Sequence, residues 1–188
     1  MNDLIRLSLH HVGYAVPDIA PVSVQYVTRY GYRITSPVIH DASQTANVQF
    51  LQLPGDSTYL ELVAPDGPTS KLANGVRRGG RLHHLCYAVD CLEDTLPWLE
   101  ANGMLLISEP IPAVAFQGRR ICWLMDEASM LVELVERRDV ADPCQPTSIG
   151  DNNRSPSLVP IPEGSASALF SPQCDTRLKE LDDQPHLD

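Results

Sequence analysis

Apolar residues recur along the first 138 positions with two alternating periods, and the punctuation between them divides the chain into short elements. Residues 10–16 are a β-branched and aromatic run that Pro17-Asp18 brings to an end. Beyond it Ile19, Val22, Tyr26, Val27 and Tyr30 recur at helical spacing, with Asp18 placed to cap that helix and Gly31 to stop it. Three strand-like runs follow, at 33–39, 47–53 and 58–63, the last two joined by the turn Pro54-Gly55-Asp56-Ser57. After a polar, basic connection over 70–81 the order returns. A strand over 82–89 precedes a helix over 92–101 that Gly103 stops, and strands over 104–107, 120–125 and 130–135 complete the set. Pro97 is the local misfit, because a proline inside a helix removes a hydrogen bond and crowds the preceding turn. This helix is therefore expected to start late, near Thr95, or to kink.

Residue identities repeat along with the elements. His10-His11-Val12-Gly13-Tyr14-Ala15-Val16 lies over His83-His84-Leu85-Cys86-Tyr87-Ala88-Val89 at an offset of 73, with five identities in seven. Leu60-Glu61-Leu62-Val63 lies over Val132-Glu133-Leu134-Val135 at an offset of 72. Two separated segments that repeat in the same order at nearly one spacing indicate internal duplication. Each half, at roughly sixty residues with one helix, is too small to close a core of its own. The expected architecture is α+β: two paired βαβββ modules, over about 8–66 and 81–137, forming one curved mixed sheet.

Duplication also duplicates chemistry. In each half a histidine opens the first strand and a glutamate occupies the fourth, and a pseudo-twofold relation would turn all four toward one axis. Alternate strand residues face opposite ways, so one histidine of each adjacent pair is expected to point inward. His11, Gly13 and Ala15 form a small-residue face suited to a cavity, whereas His10, Val12, Tyr14 and Val16 form a bulkier face expected under the helix. The choice falls on His11 and, by the same logic, on His84. Glu61 and Glu133 each sit in an otherwise apolar strand, where an ionised carboxylate needs a partner and a divalent cation is the most effective one. Read singly, such a histidine is more often hydrogen-bonded or on the surface, and such a glutamate faces outward. The fourfold repetition reverses both readings. Two imidazoles and two carboxylates favour Zn, Ni, Co, Mn or Fe over Ca.

Charge and composition narrow the partners. The chain has 24 acidic and 14 basic residues, a net charge of −10, which argues against nucleic acid. Residues 139–188 hold nine acidic and three basic residues and seven of the sixteen prolines, so an acidic, proline-rich, disordered tail is expected there. No run of apolar residues is long enough for a membrane span, and the first residues resemble no export signal, so a cytoplasmic protein is expected. Five cysteines without a Cys-x-x-Cys spacing read as ordinary thiols, those at 86 and 122 as small buried hydrophobes.

With these paired halves, and with His11, Glu61, His84 and Glu133 at these places, residues 8–137 resemble the vicinal oxygen chelate superfamily, the glyoxalase-type fold. Within that span three features are most similar to methylmalonyl-CoA epimerases: Ala64-Pro65 ending the fourth strand, Ser70-Lys71-Leu72-Ala73-Asn74 followed by Gly79-Gly80-Arg81-Leu82-His83-His84, and the Gly118-Arg119-Arg120 loop. The resemblance implies one divalent metal held by the four residues, and a small-molecule substrate, an acyl thioester or 2-oxo compound, whose oxygens chelate it. Glu133 is then the catalytic base. Gln49 occupies the third-strand position that supplies a second glutamate in some epimerases, where an amide cannot exchange a proton at neutral pH. Met125-Asp126 replaces the usual His-Pro before a shortened last turn.

Lys71 and Arg119, with Arg77, Arg78, Arg81 and Arg120 nearby, are expected to grip a substrate carboxylate or coenzyme phosphates. Trp123 and Phe116 are expected in core packing, and a homodimer is compatible with the sequence, which does not itself fix the oligomeric state. Two other readings stay open: a glyoxalase-like lyase acting on a thiol adduct of a ketoaldehyde with the same four ligands, and a metal-free binding module of the drug-resistance type. Retention of all four ligands speaks against the second of these. A carboxylate at position 61 counts against an extradiol-type dioxygenase.

Overall fold

A computed structural model describes residues 5–148 of the chain. Nine strands and two helices alternate in it as β1 (Ser8–Ala15), α1 (Ile19–Tyr30), β2 (Arg33–Ile34), β3 (Ile39–Asp41), β4 (Ala46–Gln52), β5 (Tyr59–Pro65), β6 (Arg81–Val89), α2 (Leu92–Ala101), β7 (Leu105–Pro112), β8 (Arg120–Met125) and β9 (Leu131–Glu136). All nine strands join one curved mixed sheet in the order β2-β4-β5-β1-β6-β9-β8-β7, with β3 also on β4. That order reads the same from either end once the second half is laid on the first, as duplication requires. The two first strands, β1 and β6, pair antiparallel at the seam, and each has its own module's last strand, β5 or β9, parallel on its other side.

Period-two alternation sorts the side chains of β5 and β9 between two layers. Leu60, Leu62 and Ala64 pack with Val16, Ile19 and Leu51 under α1. Val132 and Leu134 pack with Leu92, Leu99 and Leu124 under α2. The intervening residues belong to the opposite, concave face, where Val63 and Val135 join Phe50, Cys86, Phe116 and Ile121. Glu61 and Glu133 share that alternation phase and therefore the concave side.

The ends of α1 follow from its sequence. Asp18 adopts extended backbone and its carboxylate accepts the Ala20 N–H at 3.1 Å, while Gly31 closes the helix at φ 77°. Asp18→Ala is expected to lower stability by about 1 kcal/mol, read from the shift in urea midpoint. The second helix departs from expectation: it begins at Leu92, and Pro97 lies inside it. Pro97 is exposed, so the Glu93 carbonyl that loses its partner can turn to water. The expected second strand over 33–39 is broken around Pro37 into β2 and β3.

The module does not stop at residue 138. Residues 139–148, expected to begin a loose tail, fold back on it with Cys144 and Pro146 buried. Arg119 holds Asp142 through two 2.7 Å bonds, a partnership that composition alone does not reveal. The rest of the expected tail lies outside the described residues. Among the described residues no helix is long and apolar enough to cross a membrane.

Candidate metal centre

At the seam the pairing of β1 with β6 is irregular in a symmetric way. Leu9 faces Tyr87 and His11 faces Cys86, so β1 advances two residues while β6 advances one. Gly13 faces His84 and Tyr14 faces Leu82, so there β6 carries the extra residue. The two extra residues are His10 and His83, each sitting at a β-bulge, where alternation is locally lost. Both members of each His-His pair therefore reach the same side, contrary to the expectation that one of each would face a helix. His10 is buried against Tyr59 and Phe116, and its Nδ1 lies 2.8 Å from His11 Nδ1. His83 repeats the arrangement, Nδ1 to Nδ1, at 2.8 Å from His84.

The other nitrogens of His11 and His84 point at each other and at the two glutamates. His11 Nε2 and His84 Nε2 are 2.8 Å apart. Glu61 Oε2 lies 3.4 Å from the first and 3.2 Å from the second, and Glu133 Oε2 lies 3.2 Å and 3.7 Å from them. The sheet order places the imidazoles on the two central strands and one carboxylate on each flank. All four side chains are buried. Transition-metal ligands at 2.0–2.2 Å stand about 2.9 Å apart when at right angles, so these spacings and this mixed donor set fit one divalent ion. His11, His84 and Glu133 also form a geometrically compact ligand group.

Space for the ligands is made by a glycine. A Cβ on Gly13 would sit 2.1 Å from Cε1 and 2.2 Å from Nδ1 of His84, so only glycine lets that ring lie across the seam.

Electrostatics bind the cluster together. Burial lowers the pKa of His11, but Glu61 and Glu133 outweigh it and raise the value to about 9. For Glu61, burial opposes ionisation, yet His11 and His84 hold its carboxyl well below the usual carboxylate range. Burial, then the charge on His11, lowers His10 to about 3, and burial with His84 lowers His83 to about 4. Burial first, then Glu133, pushes the Cys86 thiol well above its ordinary value, so it stays protonated.

Above the four donors opens a cavity of about 610 Å³, walled mainly by apolar residues such as Val48, Ile107, Phe116, Trp123 and Met130. Glu61, His84 and Glu133 line its floor, and Lys71 and Arg81 supply positive charge at its walls. Phe116 is in the core as expected and also borders this space; Trp123, expected in the core, is half-buried and faces it, edge-on to His84 at 4.9 Å between ring centroids.

Two expected site residues lie elsewhere. Gln49 faces α1, where its Oε1 accepts from the Ser23 hydroxyl; Val48, one residue earlier, takes the cavity side of β4. Arg119 is turned away from the cavity and held by Asp142 and the Phe116 carbonyl. Arg120 is likewise engaged, by Glu93 and Glu136. Asp41 lines the cavity without having been foreseen, but its Oδ1 is taken by Ser43 and the Gln44 N–H.

Comparison with known proteins agrees with the fold. Residues 10–123 match the family model of the Glyoxalase/Bleomycin resistance protein/Dioxygenase superfamily. The chain belongs to that superfamily. Among its members this glyoxalase-superfamily chain is 29% identical over 130 residues to the ethylmalonyl-CoA/methylmalonyl-CoA epimerase of Cereibacter sphaeroides, covering 67% of this chain and 95% of that protein. It is 28% identical over 130 residues to the mitochondrial methylmalonyl-CoA epimerase of Homo sapiens, covering 67% of this chain and 72% of the human one. The crystal structure of methylmalonyl-CoA epimerase from Mycobacterium tuberculosis superposes with a TM-score of 0.63 at 26% identity, covering 72% of this chain and 91% of that one.

Proposed function

We propose that His11, Glu61, His84 and Glu133 hold one divalent cation, and that the site catalyses proton transfer beside a thioester or carbonyl, as in a methylmalonyl-CoA epimerase. The observation carrying this reading is the meeting of four donors from four adjacent strands, 2.8–3.7 Å apart, at the floor of a largely apolar cavity. A buried set of two imidazoles and two carboxylates has little structural purpose without a charge to bind. Relatives named as epimerases at 27–29% identity support the reaction class.

A bound cation would supply charge stabilisation for the oxygen of a developing enolate. The chain's own residues do the rest. Glu133, on the floor, accepts the proton from the substrate carbon. Lys71 and Arg81 hold the anionic part of the substrate at the wall, and the apolar lining excludes water from the reacting carbon. Since β4 presents Val48 and not a carboxylate, the group on the opposite flank of the imidazoles is Glu61; we assign it donation to the other face of a proton it first takes up from solvent, while Glu133 gives the abstracted proton back to solvent. Two carboxylates on opposite flanks would equally serve a glyoxalase-like lyase, which is the second reading.

The deciding experiment is solvent-deuterium exchange into methylmalonyl-CoA by the protein supplied in turn with Co, Ni, Mn and Zn, run beside disappearance of methylglyoxal-glutathione hemithioacetal. Cation-dependent exchange supports the epimerase reading; hemithioacetal loss without exchange supports the lyase. Metal analysis of protein purified without chelators addresses the third alternative, since a chain that retains no cation would favour a metal-free binding module.

Cation uptake should also release a proton. His11 is raised in the folded chain from 6.5 to about 9, so its ion pairs contribute stability fully below pH 6.5 and lose it as pH rises through 9. A cation competes for the same nitrogen, so its apparent affinity is expected to climb with pH and level off near 9. Calorimetric titration at pH 7 in two buffers of different ionisation heat should count about one proton released per ion. An affinity independent of pH over this range would contradict the assignment of His11.

A further inference from the structure

The segment after β9 reaches the candidate metal centre through a hydrogen bond to His10. Its first anchor is Asp142, held by the Arg119 guanidinium and accepting the backbone N–H groups of Arg138 at 2.8 Å and Cys144 at 2.9 Å. Its second is Thr147, which donates its N–H to the Ala115 carbonyl at 2.8 Å and its hydroxyl to the Val114 carbonyl at 3.0 Å. Between the anchors Cys144 is fully buried and takes a left-handed backbone, φ 52°, a conformation that costs a non-glycine residue energy and persists only where the surroundings impose it. The result of that turn is that the Cys144 carbonyl faces His10 Nε2 at 3.0 Å.

A carbonyl can only accept, so His10 must carry its hydrogen on Nε2. A neutral His10 then has a bare Nδ1, which accepts from Nδ1–H of His11 at 2.8 Å. With its hydrogen committed to Nδ1, a neutral His11 presents a lone pair at Nε2, the atom that faces His84, Glu61 and Glu133. On the duplicate side His83 lines the cavity instead of lying under a strap. Among the described residues, then, only His11 has its tautomer set from outside the duplicated fold.

We propose that residues 139–148 form a positioning strap for the cation site, with the Cys144 carbonyl acting through His10 to aim the Nε2 lone pair of His11 at the ion. This rests on the cation reading above. Outer partners that fix a ligand's tautomer are typically worth 10–100-fold in metal affinity. The strap is anchored to the loop that carries Arg119, so it would act without touching substrate.

The test uses the full chain and cobalt affinity measured by competition with a chelator. His10→Phe, which keeps a ring but cannot relay, and Asp142→Ala, which frees the strap, should each weaken cobalt binding 10–100-fold. The double variant should be no weaker than His10→Phe alone, because both break one path. His10→Gln, whose amide can accept from His11 and donate to Cys144, should restore affinity to within a few-fold of the parent. Two-bond proton–nitrogen spectra of the zinc-loaded parent should find the His10 hydrogen on Nε2. The proposal is overturned by a folded Asp142→Ala protein that binds cobalt like the parent, by additive losses in the double variant, or by a hydrogen on His10 Nδ1. The spectrum needs no variant and decides even if Asp142→Ala does not fold. A parent chain that binds no cobalt overturns the cation reading itself, whereas normal binding with indifferent variants overturns only the strap.

Discussion

Glu133→Gln is expected to fold like the parent and to exchange solvent deuterium into methylmalonyl-CoA about 10²- to 10⁴-fold more slowly. Glutamine keeps the volume and one oxygen of the side chain, so the packing of β9 between β6 and β8 is preserved. It loses the basicity. It also removes one negative charge beside His11, so cation affinity should fall, and the comparison must be made at saturating cation to separate occupancy from proton transfer. An exchange rate within tenfold of the parent under those conditions would show that another group takes the proton, with Glu61 the next candidate. Glu61→Gln supplies the counterpart. If Glu61 donates the proton on the second face, its loss should spare exchange from one epimer more than the interconversion of both.

Gly13→Ala is expected to cost the cation site at least 10²-fold in affinity, a larger loss than a single methyl group ordinarily brings. The added carbon would lie 2.1 Å from the His84 ring, well inside van der Waals contact, and the atoms it meets belong to a ring already flanked by His83 and Trp123. Either the ring swings away from the other donors or the seam between β1 and β6 opens. Forcing extra volume into a packed site typically costs 1–3 kcal/mol, so the urea midpoint should drop together with cation affinity. Calorimetry and chemical unfolding on the same preparation check both. If affinity falls no more than twofold, the His84 ring has room this structure does not reveal, and its place among the donors is wrong.

The repeated order of elements and the positions of the two glutamates were legible in the sequence because each rests on local periodicity, and duplication supplies the same information twice. Leu60-Glu61-Leu62 and Val132-Glu133-Leu134 declare their own faces. The histidines were legible only in part. Which members of His10-His11 and His83-His84 face inward depends on bulges between strands 73 residues apart, and a bulge is a property of the pairing that neither strand encodes alone. Gln49 illustrates the sensitivity of such readings: a slip of one residue carries a side chain from the cavity to the helix layer, and it is Val48 that arrives. The role of Arg119 is not legible because its partner, Asp142, stands in a stretch whose prolines and acidic residues suggest solvent. Composition averages over a segment, whereas burial of Cys144 and Pro146 is decided by single contacts.

The mirrored strand order has a mechanical consequence. Each half contributes one imidazole and one carboxylate, and between those contributions runs a single line of backbone pairing. An ion seated there would act as a rivet across the join, so that prising the halves apart would break coordination as well as hydrogen bonds. Under the proposed function, occupancy and breathing of the two lobes would then be linked: whatever loosens the join would let the ion escape, and whatever seats the ion would stiffen the whole scaffold.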